Sequence, residues 1–295
     1  MARAGALGDL LLLRPTLWAL RAARHDATLL APAAPARSLC GEVAALLDWD
    51  QPDLVSLHAG SGPLPEPLHD FHAGLLFSRS QALAARLGTV IPRVVVRDPR
   101  PGAGHAAAWY AGALEEIGVT PQDGVPPLVV SPEQRRAAQE LTAQLPGGFL
   151  ALHPGSGSPS KNWPAERFAA LAEILAPGTR FLVVHGPSDD AAVSRVLALA
   201  PRGLAVRDLP LSVLGAVLAR AGLFVGNDSG VSHLAAASAA PALVLFGPTD
   251  PALWAPVGAR VLRAPGNDLA GLSVAEVAAA AYVFGARTSS RLISR

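Results

Sequence analysis

The sequence predicts an α/β protein made of two doubly wound halves. Short apolar runs alternate with Ala- and Leu-rich segments of helical composition, and this βα rhythm runs through the chain twice. Between the two series lies a Pro-rich passage, "TPQDGVPPLVVSP" from Thr120 to Pro132, which reads as a linker between domains. The length of 295 residues is long for one core and fits two domains better. The expected division is a first domain over 1–125, a second over 126–273, and a last segment, 274–295, that forms a helix.

In the first series Asp9 to Arg24 reads as helical, Ala27 to Ala31 as extended, Arg37 to Leu47 as helical and Asp53 to Leu57 as extended. Gly74 to Phe77 follows as extended, Ser80 to Leu87 as helical, Arg93 to Val96 as extended and Ala106 to Ile117 as helical. The chain offers only Met1 to Ala4 before Gly5, fewer than the about five or six residues of an ordinary strand. The first strand is therefore expected as a stub, or the natural start lies upstream. The second series runs as strand Phe149 to His153, helix near Ala165 to Leu175, strand Phe181 to His185, helix near Ala191 to Leu199 and strand Leu204 to Asp208. Leu211 to Arg220 is then helical, Leu223 to Val225 and Ala242 to Phe246 are buried parallel strands, and Val274 to Ala286 is helical.

Composition narrows the function classes. Hydrophobic residues make up 51% of the chain, yet no unbroken apolar run is long enough to span a bilayer. No secretory segment is visible after Met1. The single cysteine, Cys40, cannot close an internal disulfide, and metal sites built on paired cysteines are excluded; a cytoplasmic setting fits. The formal charge is +1 with both signs spread along the chain, so no nucleic-acid-binding stripe is present. Lys161 is the only lysine among 24 basic residues. Under a bias that turns solvent-facing cations into arginine, a surviving lysine points to a task that a planar guanidinium cannot perform; chance is the alternative.

Doubly wound sheets bind ligands beyond the carboxyl ends of their strands, and three such junctions carry polar residues. In "GALGDLLLLRPTLWALRA" Asp9 opens a helix after a glycine-bearing turn. An Asp there can be a plain cap, but Gly5 and Gly8 imply close backbone approach or positive φ, which a cap does not need. In "LALHPGSGSPSKNWPAERFAALAEIL" a strand is followed by Ser156, Gly157 and then Lys161. Small residues with open amides and one lysine suit an anion; the alternative is a Gly/Ser loop with a solvated lysine. The order of residues is not that of a P-loop. In "LFVGNDSGVSHLAAASAAPALVLFGPTD" a helix begins near Ser229 and Gly230, where amides and dipole favour negative charge. Asp228 is out of place beside a phosphate and fits hydroxyl groups such as a sugar presents. His233, one turn on, reads as a structural hydrogen-bonder or a ligand contact. Arg14, Arg79, Arg100 and His105 could meet an anionic glycan or simply solvate the surface.

These three junctions, in this order, resemble glycosyltransferase family 9, the ADP-heptose:lipopolysaccharide heptosyltransferases. The resemblance covers nearly the whole chain through GALGD, HPGSGSPSKNWP and GNDSGxxHLAAA…LFGPTDPxxW. It implies a GT-B fold, two Rossmann-like domains facing across a cleft, and a metal-independent inverting transfer from a nucleotide-sugar donor, ADP-heptose, to a glycan or glycolipid acceptor of the lipopolysaccharide type. No cofactor is implied, since the nucleotide-sugar is a substrate, and a peripheral contact with the inner membrane fits such an acceptor. Residue by residue, Asp9 matches the general base, Lys161 the lysine at the donor phosphates and Asp228 the acid on the donor sugar. Ser156 and Gly157 fall in the phosphate loop, Ser229 and Gly230 in the helix-start cradle, with His233 beside it. Where the family often carries "GGPxE", this chain has "HGPSDD", which offers the shorter Asp189 near the nucleoside. The last helix is expected to return toward the first domain. Another GT-B enzyme of nucleotide-sugars, or a non-catalytic relative that binds them, remains the alternative; a dinucleotide oxidoreductase is disfavoured because no strand leads into GxGxxG.

Overall fold

The computed structural model describes residues 1–54, 57 and 62–292. They form two compact units, Met1–Val129 and Val130–Arg295, so the change of unit falls a few residues past the expected boundary.

The first unit has strands β1 (Ala2–Arg3), β2 (Thr28–Ala31), β3 (Ala45–Asp48), β4 (Gly74–Phe77) and β5 (Val94–Arg97). Its helices are α1 (Leu7–Leu11), α2 (Arg14–Ala22), α3 (Ala33–Ala36), α4 (Gln81–Leu87) and α5 (Ala106–Ala111). The sheet is parallel in the order β3-β2-β1-β4-β5. β1 is a stub of two residues, held by pairing Ala2 to both Leu30 and Leu76. Parallel pairing buries both faces, so β2 and β4 read as continuous apolar runs rather than alternating ones.

The second unit has β6 (Leu150–His153), β7 (Phe181–His185), β8 (Gly203–Arg207), β9 (Leu223–Asn227), β10 (Ala242–Phe246) and β11 (Arg260–Arg263). Helices α6 (Pro132–Leu141), α7 (Ala165–Leu175), α8 (Asp190–Leu199), α9 (Leu211–Leu218), α10 (Gly230–Ala237), α11 (Pro251–Trp254) and α12 (Val274–Leu292) surround it. The parallel order is β11-β10-β9-β6-β7-β8. Its core joins Leu152, Phe168, Leu171, Phe181, Val183, Val225 and Leu245 to Val277 and Ala281 of α12. Val277, Ala278 and Ala281 of α12 are thus part of the core of the second unit.

Several elements differ from the sequence reading. The stretch Arg37 to Leu47 is a short 3-10 turn, Arg37–Leu39, followed by the edge strand β3. The extended segment expected over Asp53 to Leu57 is a 3-10 turn at Pro52–Leu54, and residues 55 and 56 lie outside the described residues. The helix expected from Asp9 to Arg24 breaks at Leu12 and Leu13, and α6 rises out of the end of the expected linker. There Ser131 caps Gln134 and Gln134 caps Ser131 in return.

Candidate functional site

In the second sheet β6 and β9 are neighbours, and the crossovers on either side of them run in opposite directions. The crevice outside their carboxyl ends is where such a sheet binds a ligand. The loops after β6, β9 and β10 bring together most of the polar residues singled out in the sequence.

Lys161 and Asp228 meet directly. Lys161 Nζ donates to Asp228 Oδ2 at 2.8 Å, and Thr249 Oγ1 donates to the same oxygen at 2.6 Å. The carboxylate is 8% exposed and the lysine 29%, so the pair lies at the edge of the protein with its acid inside and its cation reaching outward. Both donors occupy Oδ2, and neither engages Oδ1. Thr249 stands in the loop after β10, in the GPTD stretch.

The loop carrying Lys161 is held by Asn227, which is fully buried at the end of β9. Its Oδ1 accepts the Trp163 amide at 3.0 Å, and its Nδ2 donates to the Pro154 carbonyl at 2.8 Å. Trp163 anchors the far side: it is 1% exposed, donates Nε1–H to the Leu272 carbonyl at 3.0 Å, and meets Phe168 edge to face. Within the loop, Ser156 Oγ donates to the Ser158 carbonyl and accepts the Ser158 amide. Ser156 closes the turn locally, while Gly157 is exposed at its tip.

A chain of three residues, with His153 and Asp189 buried and Ser229 partly buried, links these loops. His153, the last residue of β6, places Nε2 3.0 Å from Asp189 Oδ2 and Nδ1 3.1 Å from Ser229 Oγ. Asp189 Oδ2 also accepts the Gly186 amide at 2.8 Å. Burial works to raise the Asp189 pKa, but the hydrogen bond and charge of His153, the Gly186 amide and the charge of His185 together outweigh it and hold the carboxyl below its ordinary value. Gly155 is required here, because a Cβ on it would stand 1.8 Å from Asp189 Oδ1. The sequence placed Asp189 near a nucleoside; the structure turns its carboxylate inward onto His153, with only 5% of the side chain exposed.

Ser229 caps α10 and accepts the Ser232 amide at 3.3 Å. The next amides, Gly230 and Val231, open the helix and have no intrahelical acceptor. Ser232 Oγ donates to the Asn227 carbonyl, and His233 is buried on the same helix.

Asp9 stands in the first unit, after β1. It is the third residue of α1 rather than its cap, and its Oδ2 accepts the Ala6 amide at 3.0 Å. Its Oδ1 accepts Arg3 Nη2 at 2.7 Å. Arg3 is 3% exposed and lies 4.7 Å over the ring of Tyr110, whose phenol burial pushes up to about 12. A Cβ on Gly5 would stand 2.7 Å from Asp9 Cβ, so close approach explains this glycine, while neither Gly5 nor Gly8 has positive φ. The site thus uses the carboxylate as half cap and half ion pair. Arg3 was legible only as a basic residue two positions before the turn.

The arginines considered for an anionic glycan divide. Arg14 is 6% exposed and binds Glu42 and the Pro126 carbonyl, which makes it structural. Arg79 pairs with Asp98 at the surface, the Arg100 amide donates to that same Asp98, and His105 caps α5.

The model of glycosyltransferase family 9 (heptosyltransferase) matches residues 83–267. Lipopolysaccharide heptosyltransferase 1 of Escherichia coli O18:K1:H7 is 35% identical over 146 residues, covering 46% of this chain and 44% of that protein. The match spans less than half the length of this and the next curated relatives. Among solved structures, a family 9 glycosyl transferase from Veillonella parvula aligns over 97% of this chain and 96% of its own, with TM-score 0.80 and 22% identity. The E. coli heptosyltransferase WaaC with ADP aligns over 96% and 98%, with TM-score 0.75 and 20% identity. The shared fold is GT-B, with its two Rossmann-like units.

Proposed function

We propose that this chain, which belongs to glycosyltransferase family 9, transfers a heptose-like sugar from a nucleotide-diphospho-sugar to a hydroxyl of a lipopolysaccharide-type acceptor. ADP-heptose is the favoured donor, since a structural neighbour was solved with ADP. The observation that carries the reading is the pairing of Lys161, the one lysine of the chain, with Asp228 at the crevice between β6 and β9. A lysine beside open helix-start amides suits a diphosphate, and an acid whose Oδ1 is engaged by neither of its two partners suits sugar hydroxyls.

The chemistry follows from these groups. Asp9 accepts the proton of the acceptor hydroxyl as its oxygen attacks the anomeric carbon, and the bond to the nucleoside diphosphate breaks. Negative charge grows on the departing phosphate, where Lys161 and the amides of Gly230 and Val231 stabilise it. These fixed donors supply the role a divalent cation would otherwise take, so the reaction is metal-independent. A single displacement inverts the anomeric centre. A glycolipid acceptor would bring the chain to the cytoplasmic face of the membrane; no helix among the described residues is long and apolar enough to cross it.

The test is a thermal-shift screen of nucleotide-diphospho-sugars, followed by transfer assays with those that bind, because a ligand of the native state alone raises the melting temperature. ADP-heptose should stabilise the protein and be consumed with an acceptor. Asp9→Asn should keep the thermal shift and lose transfer by about a hundredfold or more, the scale of a lost general base. Stabilisation by none of these donors would refute the proposal.

A further inference from the structure

Asp228 is held from both sides of its strand. β9 lies between β10 and β6, and each neighbour sends one donor across from the loop that follows it, Thr249 after β10 and Lys161 after β6. Both reach Oδ2, at 2.6 and 2.8 Å, and Oδ1 accepts from no group among the described residues. The backbone beneath is fixed as well, since the Asp228 amide donates to the Leu245 carbonyl at 3.1 Å. Only the side-chain torsions of Asp228 are left to move, and its two partners decide where Oδ1 faces.

The two partners are unlike. Lys161 ends a flexible four-carbon stem, its side chain is 29% exposed, and on the donor reading it also answers to the diphosphate. An ammonium drawn to a phosphate loosens its hold on Asp228 as the sugar arrives. Thr249 has no second task of this kind. Its side chain is short and, being β-branched, stiff at χ1. The loop that carries it is pinned at both ends: a Cβ on Gly247 would stand 3.0 Å from Leu269 Cγ, and Asp250 caps α11 by accepting the Ala252 amide at 3.1 Å.

We infer that Thr249 is a positioning residue for the sugar half of the donor: its hydroxyl keeps Oδ2 of Asp228 in place when Lys161 turns to the diphosphate, so that Oδ1 stays presented to a sugar hydroxyl. This rests on the donor reading above and divides it in two. Recognition of the nucleoside diphosphate does not pass through Thr249, whereas recognition of the sugar does. Thr249 thereby separates a nucleotide-sugar from the bare nucleotide that is left after transfer.

Calorimetric titration of the full chain with ADP and with ADP-heptose, each without acceptor, tests the division. Thr249→Val removes the hydroxyl at nearly unchanged volume. It should bind ADP within about twofold of wild type but ADP-heptose at least about tenfold more weakly, the scale of a hydrogen bond to a charged group, and kcat should fall with it. Thr249→Ser keeps the hydroxyl and should restore both. The coupling to the acid is read from a double-mutant cycle: once Asp228→Asn is in place, Thr249→Val should leave the ratio of the two affinities unchanged. A residue that merely braces its loop would weaken ADP and ADP-heptose alike, and that result overturns the inference. An unchanged ADP-heptose affinity in Thr249→Val overturns it too, as does a full further loss in the Asp228→Asn background. Should Thr249→Val not fold, Thr249→Ala carries the same comparison. If wild type binds ADP but gains nothing from the sugar, Asp228 does not meet the sugar, and the inference falls with that part of the donor reading; if it binds neither ligand, the donor site itself is misplaced.

Discussion

Lys161 is held by an acid that is less exposed than itself, and the consequences of removing it separate two roles. As a point charge for the leaving diphosphate, its loss in Lys161→Ala should lower kcat about a hundredfold or more, the scale of a lost oxyanion donor. Lys161→Arg should restore the charge but not the rate, because the guanidinium fork differs in reach and shape from an ammonium. Initial rates beside calorimetric ADP affinity decide it; unchanged rate and affinity in Lys161→Ala would return the lysine to an accident of composition. Asp189 offers a second handle. Its carboxyl is below its ordinary value in the folded state, so its contribution to stability is complete above the unfolded pKa of about 4 and is lost as pH falls through the folded pKa. Asp189→Asn should therefore lower stability at neutral pH and leave a shallower decline in acid, measured by urea midpoints from about pH 7 down to about pH 3. Parallel curves would mean that the carboxylate adds nothing to folding. At this scale Asp9, Lys161 and Asp228 were legible because each interrupts a small or apolar run at a strand end. His153 ends the apolar run of β6 and Thr249 follows that of β10, but nothing in either run says which loop residue each will meet.

Among elements, β9 does the most to build the site, through the single amide at its end. Asn227 ties the loop after β6 and the entry to α7 to its own strand with two strong hydrogen bonds, all buried. Replacement by alanine would leave the Trp163 amide and the Pro154 carbonyl unpaired, at a cost of about 1–3 kcal/mol each. Asn227→Ala should accordingly lower the denaturation midpoint clearly and weaken ADP binding, because the Lys161 loop loses its clamp. A stable variant with unchanged binding would show that Trp163 alone anchors the loop. The same contrast explains which elements could be read from sequence. β7 and β10 are entirely buried and, apart from the terminal His185, apolar, and their bounds follow from composition. β3 is an edge strand without a β-branched residue, and the Ala and Leu around it suit a helix equally well. Its pairing with β2 from Thr28 to Ala31 decides its state, and pairing is not a local property. For α6 the signal was present, a Ser131 to Gln134 capping box. The prolines on either side drew the reading toward a linker.

For the whole molecule, the two units divide the labour of the proposed reaction. Every residue assigned to the donor, from Lys161 through Asp228 to Val231, belongs to the unit Val130–Arg295, whereas Asp9 belongs to Met1–Val129. The second unit has its own sheet of six strands, and its apolar core is assembled from its own strands and helices, including α12. Residues 130–295 expressed alone should therefore fold cooperatively and bind ADP within about tenfold of the affinity of the full chain, a difference of about 1.4 kcal/mol. Transfer should be absent, since the carboxylate that accepts the proton is missing, and adding back residues 1–129 should not restore the Lys161-dependent binding any further. The comparison needs a calorimetric melting curve for the fragment, alone and with ADP, beside the same titration of the full chain. A fragment that melts cooperatively but takes up no ADP would place an indispensable nucleotide contact in the first unit. That result would break the assignment of the donor to the crevice between β6 and β9, even if the full chain proved to be an active transferase.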